Sequence, residues 1–325
     1  MKTPRSKGYS IALVGTLLWS ATAVFIRYLS QEYQIPALIL AFWRDLFTAG
    51  IVLLAVTILK PALLQIQRST LLFLTGYGAL LAVFNCLWTY SVFLNGAAIS
   101  TVLAYSSAAF TAIFGWLIWR EDLRLPKIIA ICFSVIGCIL VSGAHQVQHW
   151  NSNPVGILTG LLSGVAFAGY TLFGRFASKK DIPTPTVLGY TFLIAAIFLL
   201  GTNLLFPINW VGSRNLLWLG NQWDGWTVLF LLALIPTIGG YGLYTYSLNY
   251  LPASVANLIA TLEPSFTALQ SYVLLGERFT FDQVLGSLLI LSGVILLRIN
   301  DIQQIHTEKR RANEISSTQT PAIRN

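Results

Sequence analysis

Residues 253–275 read ASVANLIATLEPSFTALQSYVLL, a stretch of 23 residues with no lysine or arginine and a single carboxylate, Glu263. A helix of this length is about 34 Å long, enough to cross a hydrocarbon core of about 30 Å. Glu263 would then lie near the midplane, where an ionised side chain costs at least about 2.5 kcal/mol and is a functional candidate for that reason. Pro264 follows it, and because proline removes a backbone donor the sequence predicts a kink beside the acid.

The composition of the whole chain indicates a membrane protein. Hydrophobic residues make up 55% of it, charged residues only 10%, and the mean hydropathy is +0.69. A soluble domain carries about 25% charged residues, so this chain has too little polar material to cover a surface in water. The net charge of +8 therefore predicts an asymmetry between loops across a membrane and no nucleic-acid partner. The cysteines lie within apolar runs, which predicts reduced, packed side chains.

Short breaks, many of them marked by proline, divide the chain into ten apolar runs. The predicted fold is an all-α polytopic membrane protein with ten transmembrane helices. The predicted spans are 10–29, 35–58, 70–93, 97–119, 126–144, 155–177, 185–206, 226–249, 253–275 and 281–298. The first run could also be a secretory signal, since Ala21-Thr22-Ala23 resembles a cleavage site. Its length and its counterpart at 155–177 favour a span.

An internal duplication relates the two halves of the chain. When the numbering is shifted by 156, residues 88–141 align with 244–297 without a gap and share twelve identical residues, among them Glu121 with Glu277. Two copies of five spans each predict an inverted repeat, because an odd number of spans turns the second copy upside down. The predicted organisation is an N-terminus at 1–9, a first repeat at 10–144, a linker at 145–154, a second repeat at 155–298 and a disordered tail at 299–325.

The basic residues predict the orientation. With the N-terminus in the cytoplasm, 16 lysines and arginines fall inside and four, Arg27, Arg44, Arg214 and Arg278, fall outside. This bias predicts a multi-pass protein of the inner or plasma membrane with both termini in the cytoplasm. The longest connection, 207–225, carries several tryptophans, which predicts an aromatic belt at the outer interface or a helix lying on it, with a ligand lid as the alternative.

Residues of the second half also carry a family resemblance. Leu262-Glu263-Pro264, the run GERFT at 276–280 and the spacing of Gly286 and Gly293-Val294 in a duplicated ten-span chain resemble the EamA-type permeases of the drug/metabolite transporter superfamily. The resemblance implies a ten-helix inverted-repeat fold and the transport of small metabolites, often amino acids or related solutes. The first copy departs from this pattern, with Ala108 in the place of Pro264 and a different loop at 119–124.

The ninth predicted helix has two polar faces. Glu263, Thr267 and Gln270 share one, whereas Ser254, Asn257 and Thr261 share the other, and the sequence does not decide which face meets a cavity. On the first face, Glu263 could bind a substrate amine or carry a coupling proton, because burial favours the neutral form of a carboxyl group. The alternative is a structural glutamate bonded to a neighbouring helix.

Further candidates are polar or aromatic residues within the spans, which could equally be packing residues. The candidates for substrate binding are Asn257, Trp19, Asn85, Trp88, Tyr90, Tyr105, Tyr170, Tyr241 and Tyr244. The hinge candidates are Pro236, Gly239, Gly240 and Pro264, where proline and glycine weaken a helix at mid-span. Arg44 and Asp45 are interpreted as ordinary interfacial charges at an outer helix start.

Catalytic motifs are missing from the sequence. It has no P-loop, no G-x-S-x-G and no H-E-x-x-H, so we expect no enzyme, no ATP hydrolysis and no cofactor. His145 and His149 have a metal-like spacing, but no cysteine or carboxylate lies near them in sequence, and no metal is predicted. The predicted function is a secondary transporter of a small metabolite, an amino acid or related solute, working by alternating access as an exporter coupled to an ion gradient.

Other functions stay open as alternatives. They are an uncoupled facilitator or an exporter of drugs or quaternary amines on the same scaffold and, further from the pattern, a membrane enzyme or a non-transporting scaffold. The expected partners are a small-molecule substrate and the lipid bilayer. A monomer and a homodimer are both compatible with the sequence.

Overall fold

The structure, a computed structural model, describes residues 4–121, 123–145, 153–205, 213–275, 278 and 280–318. These residues form helices and turns, and no strand occurs among them. The helices are α1 (Pro4–Tyr33), α2 (Ala37–Leu59), α3 (Arg68–Tyr105), α4 (Ser107–Trp119), α5 (Leu125–Ser142), α6 (Pro154–Lys179), α7 (Thr184–Leu205), α8 (Trp223–Leu232), α9 (Gly242–Ser247), α10 (Ala253–Ala260), α11 (Glu263–Leu275) and α12 (Phe281–Thr318). A short 3-10 helix at Pro61–Leu64 follows α2, and a π-helical segment at Ala233–Tyr241 joins α8 to α9.

Ten membrane spans can be recognised in this arrangement. Within the described ranges, nine helical stretches are individually long and apolar enough to cross a membrane. They are Arg5–Tyr33, Ala37–Leu59, Arg68–Asn95, Ile99–Trp119, Leu125–Ser142, Pro154–Lys179, Thr184–Leu205, Trp223–Ser247 and Phe281–Asn300. The remaining span, 253–275, is divided between α10 and α11. The prediction of an all-α polytopic membrane protein is therefore confirmed.

Helix α3 contains a reversal of the chain. Its backbone is helical from Arg68 to Tyr105, yet the side-chain oxygens of Ser91 and Ser100 lie 2.8 Å apart and are hydrogen-bonded. Residues nine positions apart in a straight helix would be separated by about 13.5 Å. The chain must therefore fold back between these serines, which makes α3 the third span and the beginning of the fourth.

The fourth and ninth spans both break at the same point of the repeat. The fourth changes from α3 to α4 at Ser106, and the ninth changes from α10 to α11 at Thr261 and Leu262. In both, a hydroxyl near the break bonds a backbone carbonyl three residues earlier: Ser106 Oγ donates to Leu103 O at 2.5 Å, and Thr261 Oγ1 donates to Leu258 O at 2.6 Å. Such side-chain bonds compete with the helical pattern and favour its interruption. The kink predicted at Glu263 is present one to two residues earlier.

The eighth span is distorted, but it is not broken. Residues 233–241, which include Pro236, form a π-helical segment between α8 and α9. Proline has no backbone N–H, and one residue of extra winding lets the neighbouring groups find other partners. Thr237 Oγ1 donates to Leu232 O at 2.8 Å and satisfies one of these carbonyls.

Close contacts at glycines show the twofold relation between the halves. A Cβ placed on Gly137 of α5 would lie 2.6 Å from the carbonyl oxygen of Gly286 of α12. A Cβ placed on Gly293 would lie 2.8 Å from the carbonyl oxygen of Ala130. The shift of 156 converts the first pair into the second, so the two contacts are equivalent by the internal repeat. Helices α5 and α12 therefore pack around the pseudo-twofold axis, and glycines let their backbones approach closely.

The sequence made predictions for two regions near the ends of the spans. Helix α12 continues to Thr318, and the disorder expected for the tail at 299–325 stays a prediction. The described part of the 207–225 connection, from Ser213 to Gln222, forms turns, so the option of a surface helix is not met there, whereas the aromatic belt stays a prediction. Its tryptophan Trp218 donates from the indole to Tyr33 O at 3.0 Å and ties this connection to α1. Trp210, the predicted linker residues 146–152 and His149 lie outside the described residues.

Candidate functional site

A cavity of about 820 Å³ lies between the two halves. Along α1 it is lined from Trp19 to Ser30, a depth of about 16 Å. It opens at the end of the molecule where α1 and α5 end and α2 and α12 begin, since Ser30, Ala37, Ser142 and Gln283 line it. The chain therefore encloses a pocket that penetrates well into the membrane-spanning region from one side.

The inner end of the cavity is aromatic. Trp19 of α1 packs against Tyr241 with ring centroids 4.2 Å apart and against Phe167 of α6 at 5.5 Å. All three rings line the cavity. Gly240 lets Trp19 come this close, because a Cβ on that residue would lie 2.8 Å from the Trp19 Cα. This end of the cavity offers a solute flat apolar faces rather than water.

Glu263 lies in the wall of the cavity, at the first turn of α11. Its Oε2 accepts a hydrogen bond of 2.6 Å from the hydroxyl of Tyr105, which ends α3 in the other half of the chain. Its other oxygen, Oε1, has no hydrogen-bond partner in the described part of the chain. Among the described residues that line the cavity, Glu263 is the one carboxylate. The acid is thus paired with a neutral donor and keeps one oxygen for a ligand.

The predicted face of the ninth span contacts α1. Thr267 Oγ1 donates to Ser20 O at 3.0 Å, and Gln270 Nε2 donates to Leu17 O at 3.0 Å and to Ser20 Oγ at 2.9 Å. Glu263 and Thr267 line the cavity together with Pro264, whereas Gln270 serves as a link to α1. This face therefore meets the cavity over its first turns only.

The opposite face of that span is a packing interface. Asn257 is fully buried, accepts from Ser107 Oγ at 3.2 Å, and donates to Thr111 Oγ1 at 2.9 Å and Thr171 Oγ1 at 3.2 Å. These residues belong to α4 and α6. Asn257 is therefore placed among helices and not at the cavity surface.

The other candidates from the sequence divide in the same way. Asn85, Trp88, Tyr105 and Tyr241 line the cavity with Trp19. Tyr170 and Tyr244 are buried behind it, where Tyr244 shares a hydrogen bond of 2.8 Å with Thr171. The remaining candidates do not line the cavity and lie elsewhere: Tyr90 stacks on Phe93 with ring centroids 6.4 Å apart, and Pro236, Gly239 and Gly240 belong to the π-helical segment.

The interpretation of Arg44 and Asp45 as interfacial charges is wrong. They lie in the second and third turns of α2, and their exposed fractions are 6% and 0%. Arg44 Nε donates to Asp45 Oδ1 at 3.0 Å, Arg44 Nη2 donates to Asn85 Oδ1 at 3.2 Å, and Asn85 Nδ2 donates to Asp45 Oδ2 at 3.2 Å. The sequence signal was available, because both charges fall inside the predicted span 35–58 and a buried pair of this kind requires partners.

The opposite end of the molecule is closed. Glu121, between α4 and α5, accepts from the backbone N–H of Ala253 at 3.2 Å and from the hydroxyl of Ser254 at the start of α10. Lys127 lies 3.5 Å from the same carboxylate. Nearby, Gly8 of α1 leaves no space for a side chain, since a Cβ there would lie 2.7 Å from the Tyr250 Cβ. Sequence reasoning assigned no role to Glu121, whose partners come from the other half of the chain.

Comparisons with known proteins identify the family. The chain matches the EamA-like transporter family over residues 6–143 and again over 154–299. This chain belongs to the EamA-like transporter family. The two matched segments correspond to the two copies seen in the sequence, so each half is one EamA unit. As a member of this family the chain is a membrane transporter and not an enzyme.

Individual relatives and one solved structure agree with this assignment. The "Uncharacterized transporter YwfM" of Bacillus subtilis (strain 168) is 28% identical over 292 residues, which cover 89% of this chain and 93% of that protein. The "Probable amino-acid metabolite efflux pump" of Salmonella typhimurium is 26% identical over 303 residues, which cover 90% and 94%. A crystal structure with 16% sequence identity has a TM-score of 0.74, covers 92% of this chain and 99% of its own, and shows the same fold.

Proposed function

We propose that this EamA-like transporter is a secondary transporter that exports a small solute of the amino-acid class by alternating access, driven by an ion gradient. The observation that carries the proposal is the cavity, which is open at one end, closed at the other and has Glu263 in its wall. Secondary transporters built from inverted repeats bind their solutes near the midplane, between the repeats. Alternating access then requires a closure that can move from one end to the other.

The size and lining of the cavity fit a small organic solute. Its volume of about 820 Å³ lies within the range of about 300–1,000 Å³ that is typical of ligand pockets. Aromatic rings and a small number of polar groups are the usual combination in such sites. The relative named as an amino-acid metabolite efflux pump supports the class of solute.

Glu263 is suited to ion coupling because its protein partner is neutral. The Tyr105 hydroxyl can bond the carboxylate in either protonation state, and no cation among the described residues holds Glu263 permanently ionised. A carboxyl group in this position can exchange a proton for the ammonium group of a solute. The proton and the ammonium group of the solute would compete for this one carboxylate. Their competition would couple the movement of protons in one direction to the movement of solute in the other.

The distribution of basic residues supports an orientation. Placing both termini in the cytoplasm puts the closed end, with Glu121, on the cytoplasmic side and the open cavity on the outer side. For an exporter this is the state that releases solute and receives a proton. The same cavity would serve uptake if the gradient were reversed, so the direction is tested by experiment.

The test begins with a search for the solute. Purified protein is screened for thermal stabilisation by amino acids, nucleobases, sugars and quaternary amines, and the compounds that stabilise it are then assayed for transport in vesicles with and without a pH gradient. Accumulation of an amino acid that depends on the gradient is the expected result. Equal movement without the gradient would indicate an uncoupled facilitator, and stabilisation by quaternary amines alone would contradict the proposed class of solute.

A further inference from the structure

The proposed coupling at Glu263 does not involve the buried trio Arg44, Asp45 and Asn85. Only two of these three residues reach the cavity surface. Arg44 and Asn85 line the cavity, whereas Asp45 lies behind them with no exposed surface. All three side chains are more than nine-tenths buried, with exposed fractions of 6%, 0% and 5%. A buried charge is costly to maintain unless it is paired, so the arrangement calls for an explanation beyond packing.

The trio has more hydrogen-bond donors than its own contacts use. A guanidinium group has five N–H bonds and an amide side chain has two. Arg44 uses Nε and Nη2 toward Asp45 and Asn85, and within the described part of the chain its Nη1 donates to no acceptor. Asn85 uses Nδ2 once, toward Asp45. Donors on both side chains are therefore left at the cavity, where Glu263 is the one carboxylate among the described lining residues.

Unused donors on a guanidinium and a neighbouring amide are the groups that recognise a carboxylate. Arginine is preferred for this purpose because its N–H bonds lie in one plane and match the two carboxylate oxygens. Asp45 holds the guanidinium in place from behind and balances its positive charge. The polarity of the site is therefore directional, with donors toward the solute and the balancing charge away from it.

The charges already present in the cavity determine which carboxylate-bearing solutes can bind. Because Arg44 is already balanced by Asp45, a simple anion bound at this inner site would bring one negative charge that its own contacts do not compensate. Arg27 and Arg278 also line the cavity, but they are exposed and lie toward its open end. A solute that also carries an ammonium group brings its own compensation. Glu263, with its free Oε1, accepts such a cation elsewhere on the same cavity surface, and Tyr241 lines that surface together with Arg44 and Glu263.

We propose that Arg44 and Asn85 form a carboxylate subsite, so that the solute of this transporter carries a carboxylate as well as an ammonium group. The inference rests on the proposed function, since it names the group through which the same cavity distinguishes its solutes. Arg44 and Asn85 determine specificity, whereas Glu263 determines coupling.

Matched pairs of compounds test the subsite on the wild-type protein. L-threonine, L-leucine and L-phenylalanine are each compared with the corresponding amino acid amide, which keeps the ammonium group and side chain but lacks the carboxylate. Purified full-length protein in detergent is titrated with each compound and its melting temperature followed. At least one acid is expected to stabilise the protein at a concentration at least about 10-fold lower than its amide, a ratio that corresponds to about 1.4 kcal/mol.

Variants assign the preference to particular residues. Arg44→Gln should remove the preference for the acid, whereas Asp45→Asn should retain or increase it, because the guanidinium loses a competing carboxylate. Asn85→Asp places a second carboxylate against Arg44 and should abolish acid binding. The exposed Arg214 provides a control, Arg214→Gln, that removes the same charge away from the cavity. A purely structural ion pair predicts instead that all three variants lower stability without changing the ratio of acid to amide.

The outcomes separate this inference from the proposed function. Equal stabilisation by acids and amides in the wild type would overturn the carboxylate subsite and leave transport of amines in place. An acid preference that survives in Arg44→Gln would overturn the assignment to Arg44. Stabilisation by neither series would contradict both proposals together. If Arg44→Gln does not fold, the wild-type ratio and the Asn85→Asp titration still decide the question.

Discussion

Tyr105 and Glu263 join the two halves of the transporter through a hydrogen bond of 2.6 Å at the cavity wall. The internal repeat places Thr261 at the position of Tyr105 and Ser107 at the position of Glu263, so the bond has no equivalent on the other side of the pseudo-twofold axis. The two halves share one backbone plan, but only the second supplies an acid at this point. The symmetry therefore belongs to the fold, and the chemistry of the site is asymmetric.

Glu263→Gln is expected to abolish gradient-driven accumulation of the solute. Glutamine keeps the shape and accepts the hydrogen bond of Tyr105, but it neither binds a coupling proton nor neutralises an ammonium group. The measurement is uptake into vesicles with an imposed pH gradient, compared with counterflow in the absence of a gradient. Glu32→Gln is the control, since Glu32 is an exposed acid of α1 that does not line the cavity. Unchanged accumulation would remove the coupling role from Glu263.

Tyr105→Phe should weaken the link between the halves. The substitution removes only the hydroxyl, leaving Oε2 of Glu263 without its donor, and a lost partner of a buried polar group costs about 1–3 kcal/mol. We expect a lower melting temperature for the purified variant and reduced transport. Tyr90→Phe is the matched control, because the Tyr90 hydroxyl has no hydrogen-bond partner among the described residues. Equal behaviour of the two variants would mean that the Tyr105 bond contributes nothing measurable.

Gly137→Ala should destabilise the contact at the pseudo-twofold axis. The added Cβ would lie 2.5 Å from Ile290 Cγ1 and 2.6 Å from the carbonyl oxygen of Gly286, so α5 and α12 would have to separate. Overpacking of this kind typically costs about 1–3 kcal/mol. Thermal unfolding of the purified protein measures the loss. Gly50→Ala, for which a Cβ meets nothing within 4 Å, is the control and should be neutral or slightly stabilising. If Gly137→Ala unfolds at the same temperature as the wild type, α5 and α12 can separate without a loss of stability.

Much of this architecture follows from the sequence because the membrane simplifies the problem. Apolar runs must be helices when no water can satisfy their backbone groups, and the ungapped duplication then predicts the repeat. Glu263 was found for the same reason, since a single acid in an apolar run has few explanations other than function or a specific partner. The proline beside it predicted the interruption of the ninth span.

Other features depend on contacts between segments that are distant in sequence. The fourth span breaks at Ser106 without a proline, and although the repeat aligns Ser106 with Leu262 in sequence, only the fold shows that both positions interrupt a helix. Arg44 and Asp45 were interpreted as interfacial because they lie near an outer helix start, where charges are ordinary. Their partner Asn85 comes from another helix. Likewise, the two polar faces of the ninth span look equivalent in sequence, and only the packing of α4 and α6 around Asn257 distinguishes them.

Glu121→Gln is expected to loosen the closed end of the cavity. The Glu121 carboxylate accepts from the backbone N–H of Ala253 and the hydroxyl of Ser254 at the start of α10, where the positive end of the helix dipole favours a negative charge. An amide keeps the size of the side chain but loses the charge, and hydrogen bonds to charged groups contribute about 1.5–3 kcal/mol. The open form of this end should therefore become about 10-fold more populated or more.

A reporter cysteine makes that opening measurable. Ala253→Cys, in a background in which Cys86, Cys132 and Cys138 are replaced, buries a thiol directly under the Glu121 contact, because Ala253 is fully buried. Its reaction with a membrane-impermeant thiol reagent should accelerate by about the same factor when Glu121→Gln is added. Asp224→Asn removes an acid from the first turn of α8 and provides the control. If the reaction rate is the same with Glu121 and with glutamine, this carboxylate does not hold the end closed, and the closure must rest on the packing of Gly8 against Tyr250.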